Sequence, residues 1–209
     1  MKELVTNLHI LAIAYLIGSI PFGFLIGKFN GIDIRRYGSG NIGATNLTRL
    51  LGRDWGMACF FLDFLKGVLP VIIAARVAGG FTLLAVVASG LAICGHIWPV
   101  FLRFKGGKGV ATSLGALIAL APWAVIIAMV TWFLVFQLTR YVSVASIAAT
   151  IMLPLGDYLC VRIFSMPLVK SRLILLIILA ALIVWRHRTN MKRLLQGKEH
   201  RFKRKNKVA

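Results

Sequence analysis

Apolar residues in this chain neither alternate nor recur with helical spacing against polar ones. They run in blocks, from about Leu4 to Gly27, Asp54 to Ala75, Phe81 to Leu102, Val110 to Leu138, Val144 to Val161 and Leu173 to Trp185. A helix needs about 20 apolar residues to cross a bilayer, so most of these blocks predict transmembrane helices. The block from Val110 to Leu138 is long for one crossing and short for two. Pro122, which lacks an N–H and breaks the helical ladder, predicts a short hairpin there. Polar segments separate the blocks at Lys28–Arg53, Arg103–Gly109 and Thr139–Tyr141, and a basic stretch follows from Arg186.

If these four polar segments share one face, each gap between them holds an even number of helices. The expectation is an all-α integral membrane protein of about seven transmembrane helices, with its N-terminus outside and its C-terminus cytoplasmic. Lys2, Arg76, Arg162, Lys170 and Arg172 then fall on the opposite face and Lys66 lies within a span; every other basic residue lies on the shared face. The positive-inside rule makes that face cytoplasmic. A six-helix arrangement would move Arg140 to the opposite side. Residues 1–197 read as one polytopic domain and 198–209 as a basic cytoplasmic tail held to anionic headgroups, at about 1 kcal/mol per basic residue. The first block has no small-x-small cleavage site before Lys28 and reads as a retained span.

Composition sharpens this picture. Of 209 residues, 59% are hydrophobic and 15% charged, and the mean hydropathy is +0.84. These values exclude a soluble globule and a disordered chain. A net charge of +19 on a soluble protein would suggest nucleic acid. Here the cations lie between apolar blocks, so the expected partner is the membrane lipid and not a nucleic acid. Cys59, Cys94 and Cys160 each sit in an apolar run without a short spacing, which argues against a disulfide framework or a zinc site. The four His and six acids are few for metal ligation. No metal, no cofactor and no obligate protein partner are expected.

Five segments carry candidate chemistry. In the first polar loop, Gly38, Gly40 and Gly43 alternate with Ser39, Asn41, Thr45 and Asn46. Glycine lets the backbone turn successive N–H groups toward one point, a nest suited to phosphate. Arg49, three residues beyond Asn46, falls on the same helix face. A flexible surface turn would read the same way. In the second loop Lys105 and Lys108 flank Gly106 and Gly107, and a helix start after Gly109 adds Thr112 and a positive dipole end. A Walker loop needs Ser or Thr after Gly-Lys; here Gly109 follows Lys108, so ATP hydrolysis is not indicated. Asp63 and Lys66 lie within the second span at a spacing that allows an ion pair. Ser143 and Ser146 share a helix face after Arg140. His187 and Asn190 share another, with Arg186 and Arg188 disfavouring a charged imidazole. A pocket this cationic suits polyanions, two phosphates among them, and its fixed charges can stabilise developing negative charge. That points to phosphate-ester or phospholipid chemistry without choosing among transfer, hydrolysis and transport.

Taken together, Gly18–Gly23, Gly38–Asn46 with Arg49, Asp63–Pro70, Gly95–Thr112, Arg140–Ser146 and Arg186–Glu199 resemble the bacterial acyl-phosphate:glycerol-3-phosphate acyltransferase family along the whole chain. The resemblance implies a seven-helix membrane enzyme of the bacterial inner membrane, its active-site loops facing the cytoplasm. It implies acyl transfer from acyl phosphate to the 1-hydroxyl of sn-glycerol 3-phosphate, giving lysophosphatidic acid and phosphate and committing glycerol phosphate to phospholipid synthesis. No His here is followed five residues later by Asp, the pair of the common soluble-facing glycerolipid acyltransferases. Carried onto this chain, the catalytic set is Ser39, Arg49, Lys108, His187 and Asn190. Substrate binding falls to Gly38, Gly40, Asn41, Gly43, Thr45, Asn46, Lys105, Gly106, Gly107, Gly109, Thr112, Ser143, Ser146 and Arg188. The rival classes are a carrier for a phosphorylated metabolite and a lipid phosphatase. Neither matching glycine loops on the opposite face nor an internal repeat supports the carrier, and no evident nucleophilic His or metal supports the phosphatase.

Overall fold

The apolar blocks fold as helices, and no strand occurs among the residues described, 1–202. In this computed structural model α1 (Lys2–Ser19) and α2 (Phe22–Phe29) form the first block, interrupted where Pro21 withholds its N–H. The first polar loop contributes α3 (Ala44–Leu51). Then follow α4 (Arg53–Val77), α5 (Leu83–Ile97), α6 (Val110–Leu117), α7 (Pro122–Thr139), α8 (Val142–Ile163), α9 (Lys170–Arg186) and α10 (Arg188–Leu195). Among the described residues, five segments are long and apolar enough to cross a membrane: Lys2–Phe29, Arg53–Val77, Leu83–Leu102, Pro122–Thr139 and Val142–Ile163. A sixth results if α9 and α10, bent by 48° on either side of His187, count as one span.

The chain is thus the all-helical membrane protein expected, and it breaks at Pro122 as expected. The count of seven is not reached by length. The helix that starts after Gly109 ends at Leu117, ahead of the turn before Pro122, so α6 has only eight residues. At 1.5 Å per residue it spans about 12 Å, against about 30 Å for the hydrocarbon core.

Two compact units divide the chain, Met1–Pro122 and Trp123–Ala209. In the first, α5 packs along α1, and α4 packs against α3, α5 and α6. Lipid offers no hydrophobic drive between helices, so close packing relies on small residues that let backbones meet. A Cβ on Gly18 would strike the Ala92 carbonyl, and one on Gly95 the Tyr15 carbonyl, which fixes α1 against α5. Gly67 meets the Thr112 carbonyl and Gly115 the Phe64 carbonyl, which fixes α6 against α4. Large side chains such as Phe61, Ile72 and Leu83 are exposed, as lipid-facing positions must be. The Asp63–Lys66 pair forms at 2.7 Å. Lys66 also donates to the Ile20 carbonyl at the α1–α2 break, at 2.7 Å.

In the second unit α8 packs on α9, with Arg172 and Asp157 paired at 3.0 Å. The start of the basic tail folds back onto the α7–α8 turn. Phe202 packs edge-on against Phe136, and its N–H donates to the Arg140 carbonyl at 3.0 Å. Residues 203–207, which carry four of the tail's cations, lie outside the described residues.

Candidate functional site

In the first unit both glycine loops rest on one apolar platform. Ile34, Ile42 and Leu47 from the first loop region, Cys59 of α4 and Leu102 ahead of the second loop form a single buried cluster. A short 3₁₀ turn (Ile34–Arg36) leads into the first loop, capped by Asp33. Asp33 accepts from Arg35 Nε at 2.9 Å and Nη2 at 2.7 Å. That hydrogen bond holds the Asp33 carboxyl well below the usual carboxylate range.

Gly38 and Gly40 then adopt φ of +60° and +70°, conformations that favour glycine. The loop is held from within by Asn46, which is 1% exposed. Its Oδ1 accepts from the Ser39 N–H at 3.0 Å. Its amide donates to the carbonyls of Ile34 (3.3 Å), Tyr37 (3.1 Å) and Asn41 (3.0 Å). A Cβ on Gly38 would strike that same Oδ1. Asn41 Oδ1 accepts from the Gly43 N–H at 2.8 Å, an Asx turn that starts α3. The Asn46 side chain is therefore committed to the shape of the loop. Ser39, Thr45 and Arg49 are partly exposed, while Gly38 and Gly40 stand at the surface.

The second loop leaves α5 through Trp98 and Pro99 and turns at Arg103 and Phe104, both at positive φ. It returns to the end of α5, where Gly106 N–H donates to the Ile97 carbonyl and Gly107 N–H to the His96 carbonyl. Gly109, at φ +87°, delivers the chain into α6. Lys105 is exposed and Lys108 half-buried. Thr112 is fully buried, and its Oγ1 has no hydrogen-bond partner among the described residues. The helix start expected after Gly109 is thus in place, with Thr112 in its first turn.

In the second unit His187 sits at the α9–α10 bend, 3% exposed. Its Nδ1 lies 2.8 Å from the Ile183 carbonyl. A carbonyl can only accept, so in a neutral ring the proton is on Nδ1 and Nε2 is the acceptor. Asn190 and Ser143 converge on Glu199, which accepts from Asn190 Nδ2 at 2.7 Å and Ser143 Oγ at 2.9 Å. Its second oxygen accepts from Arg193 Nε at 2.9 Å. Burial pushes the Glu199 carboxyl up, but the bonds from Asn190, Arg193 and Ser143 hold it below its ordinary value overall. Ser146 accepts from Trp132 Nε1 at 3.2 Å. Arg188 is exposed and stacks on Trp185, 4.2 Å from the ring centre.

The structure gathers Gly38 to Arg49 and Lys105 to Thr112 in one unit, and Ser143, His187 and Asn190 in the other. Within the latter Arg188 turns onto Trp185. Two residues escaped the sequence reading. Glu199 is a lone acid in a basic run and read only as the last residue of the Arg186–Glu199 segment and as part of a lipid-facing tail; it organises two candidate site residues. His96 read only as part of the loop segment, yet it touches both Gly107 and Asp63.

A family model described as glycerol-3-phosphate acyltransferase matches residues 8–197. A glycerol-3-phosphate acyltransferase of Aquifex aeolicus is 46% identical over 196 residues, covering 93% of this chain and 98% of that protein. One from Trichlorobacter lovleyi is 46% identical over 190 residues, 91% of this chain and 94% of that protein. Among solved structures, the glycerol 3-phosphate form of PlsY (YgiH), an integral membrane glycerol 3-phosphate acyltransferase, is 44% identical. It superposes with a TM-score of 0.86 over 95% of this chain and 96% of that one. Its lysophosphatidic acid form gives a TM-score of 0.83 at the same identity and coverage.

Proposed function

The chain belongs to the glycerol-3-phosphate acyltransferase family, and on that premise we propose that it moves an acyl group from acyl phosphate to the 1-hydroxyl of sn-glycerol 3-phosphate. The products are lysophosphatidic acid and inorganic phosphate, and the step commits glycerol phosphate to phospholipid synthesis in the bacterial inner membrane. The charge asymmetry of the sequence supports an active site on the cytoplasmic side. The observation that carries the reading is the pair of glycine-built loops on one apolar platform, because the reaction has two phosphorylated substrates.

In this reading the hydroxyl oxygen forms a bond to the acyl carbonyl carbon, and the carbon–oxygen bond to phosphate breaks. The acyl phosphate is an activated mixed anhydride, so no protein nucleophile is needed. A substrate phosphate oxygen accepts the hydroxyl proton. Arg49 and Lys108 stabilise charge on the carbonyl oxygen and the departing phosphate, and Ser39 donates beside them. The remaining first-loop residues (Gly38, Gly40, Asn41, Gly43, Thr45, Asn46) shape one phosphate cradle. Lys105, Gly106, Gly107, Gly109 and Thr112 shape the other. His187 and Asn190 bind and orient glycerol phosphate, with Ser143, Ser146 and Arg188 as further binding groups.

Purified protein in detergent or lipid mesophase, supplied with palmitoyl phosphate, is expected to release phosphate only when sn-glycerol 3-phosphate is present, with lysophosphatidic acid as the product. Release without acceptor would show hydrolysis instead. No release from protein that still binds glycerol phosphate would favour the carrier.

His187→Ala tests the proton route. With a substrate phosphate as acceptor, KM for glycerol phosphate should rise about tenfold while kcat stays within about threefold. A general base contributes about 10²–10⁴-fold, so a kcat loss of that size at saturating substrate would make His187 the base.

A further inference from the structure

Behind the second glycine loop lies a buried charged cluster that the reaction above does not use. His96, in the last turn of α5, is 4% exposed and meets the loop with both backbone and ring. Its carbonyl accepts the Gly107 N–H at 3.1 Å, and the next carbonyl, of Ile97, accepts the Gly106 N–H at 3.2 Å. The ring edge lies so close to Gly107 that a methyl group there would overlap Nε2. On the other side of the ring Nδ1 lies 3.6 Å from Oδ1 of Asp63. The same carboxylate is paired with Lys66. At that separation the contact is electrostatic and longer than a hydrogen bond, and a carboxylate on that side of an imidazole favours the proton on the nearer nitrogen and the ring plane that presents it.

We propose that Asp63 and His96 are positioning residues for the second glycine loop. The carboxylate orients the ring, and the ring seats Gly106 and Gly107. Those two residues in turn set the direction of the loop's N–H groups and the starting point of Lys108. Lys66 balances the charge of Asp63, so the imidazole need not be cationic to lie beside it. The inference rests on the reading that this loop holds a substrate phosphate. A residue that merely filled space could be replaced by any side chain of its volume; this one must keep its ring edge clear of Gly107 and its Nδ1 toward Asp63.

The steric half is tested by a double substitution. Gly107→Ala alone should lower kcat/KM by about a hundredfold, because the methyl group pushes the loop off the ring. His96→Asn keeps a donor near the Nδ1 position and removes the ring edge. Combined with Gly107→Ala it should recover about tenfold of that loss, although alone it is itself impaired. A double variant no better than Gly107→Ala overturns the proposal. The electrostatic half is tested by Asp63→Asn, which should raise KM for one phosphorylated substrate about fivefold with kcat within about threefold. Unchanged KM for both substrates overturns it. A readout independent of turnover separates this failure from failure of the functional reading. Amide hydrogen exchange at Gly106–Lys108 should quicken about tenfold in Asp63→Asn, and unchanged exchange sinks the positioning role whatever reaction the wild type performs. A wild type that makes no lysophosphatidic acid sinks the functional reading alone.

Discussion

Asn46→Ala is expected to cost the protein about 10²–10³-fold in activity, the loss typical of misplacing a single stabilising donor. The substitution removes four hydrogen bonds at once from a side chain that is 1% exposed. The Ser39 N–H loses its acceptor. The carbonyls of Ile34, Tyr37 and Asn41 lose a donor, although those of Ile34 and Tyr37 still accept from Tyr37 and Gly40 N–H groups. A buried polar group left unsatisfied costs about 1–3 kcal/mol, so the loop should open instead of holding its native turn. Asn46→Asp separates the two halves of the role. It keeps the acceptor for Ser39 but loses all three donations and adds negative charge where an anion is to bind. Activity as low as in Asn46→Ala, or lower, is the expected result. Steady-state assays of Asn46→Ala with kcat and KM both within about twofold of wild type would sink the idea.

The second large effect should come from Glu199. Replacing it with Ala takes the shared acceptor from Arg193, Asn190 and Ser143. A buried polar group that loses its partner costs about 1–3 kcal/mol, which here falls on Asn190 and Ser143 because Arg193 is partly exposed. Glu199→Ala is therefore expected to lower the melting temperature sharply and to reduce binding of glycerol phosphate through Asn190. Glu199→Gln keeps the shape but not the charge, and it isolates the pH dependence. The folded protein holds the Glu199 carboxyl below its ordinary value. Its contribution is therefore complete above the unfolded value of about 4.3 and fades as pH falls through the lower folded value. Thermal melts between pH 3 and 7 should show the gap between wild type and Glu199→Gln closing at the acid end. A gap that stays constant across that range would count against the role.

Much of the architecture can be read from block length alone, because a bilayer leaves helices as the main way to satisfy the backbone. Pro122 marks a break for the same reason it does anywhere, and three residues of separation suffice to pair Asp63 with Lys66. The first glycine loop shows in the sequence because Gly38 and Gly40 take positive φ, whereas the second turns at Arg103 and Phe104 and uses Gly106 and Gly107 for close approach to the end of α5. What sequence could not supply is direction. Asn46 looks like any polar loop residue until its amide is seen pointing back to residues 34, 37 and 41. Glu199 is hidden by the cations around it, and its partner Ser143 is 56 residues away. His96 lies at the end of α5, but spacing along α5 does not say that α4 packs there. The length of α6 is the part hydropathy leaves open. Apolar residues run on from Val110 to Leu138, but the helix stops at Leu117 and restarts at Pro122, and hydropathy does not register that break.

The pairing of Asp63 with Lys66 also bears on how the chain enters the bilayer during synthesis. At the centre of a helix leaving the translocon, Asp or Lys each costs about 2.5–3.5 kcal/mol. In α4 the two emerge three residues apart and can neutralise each other before any later helix exists. The Ile20 carbonyl that Lys66 also contacts belongs to the α1–α2 break, which the ribosome has already made. His96 arrives only with α5. The fourth helix thus meets the lipid with its counter-charge on board and a polar neighbour waiting, and a reordered gene with identical helices would deny it that neighbour at the moment of insertion.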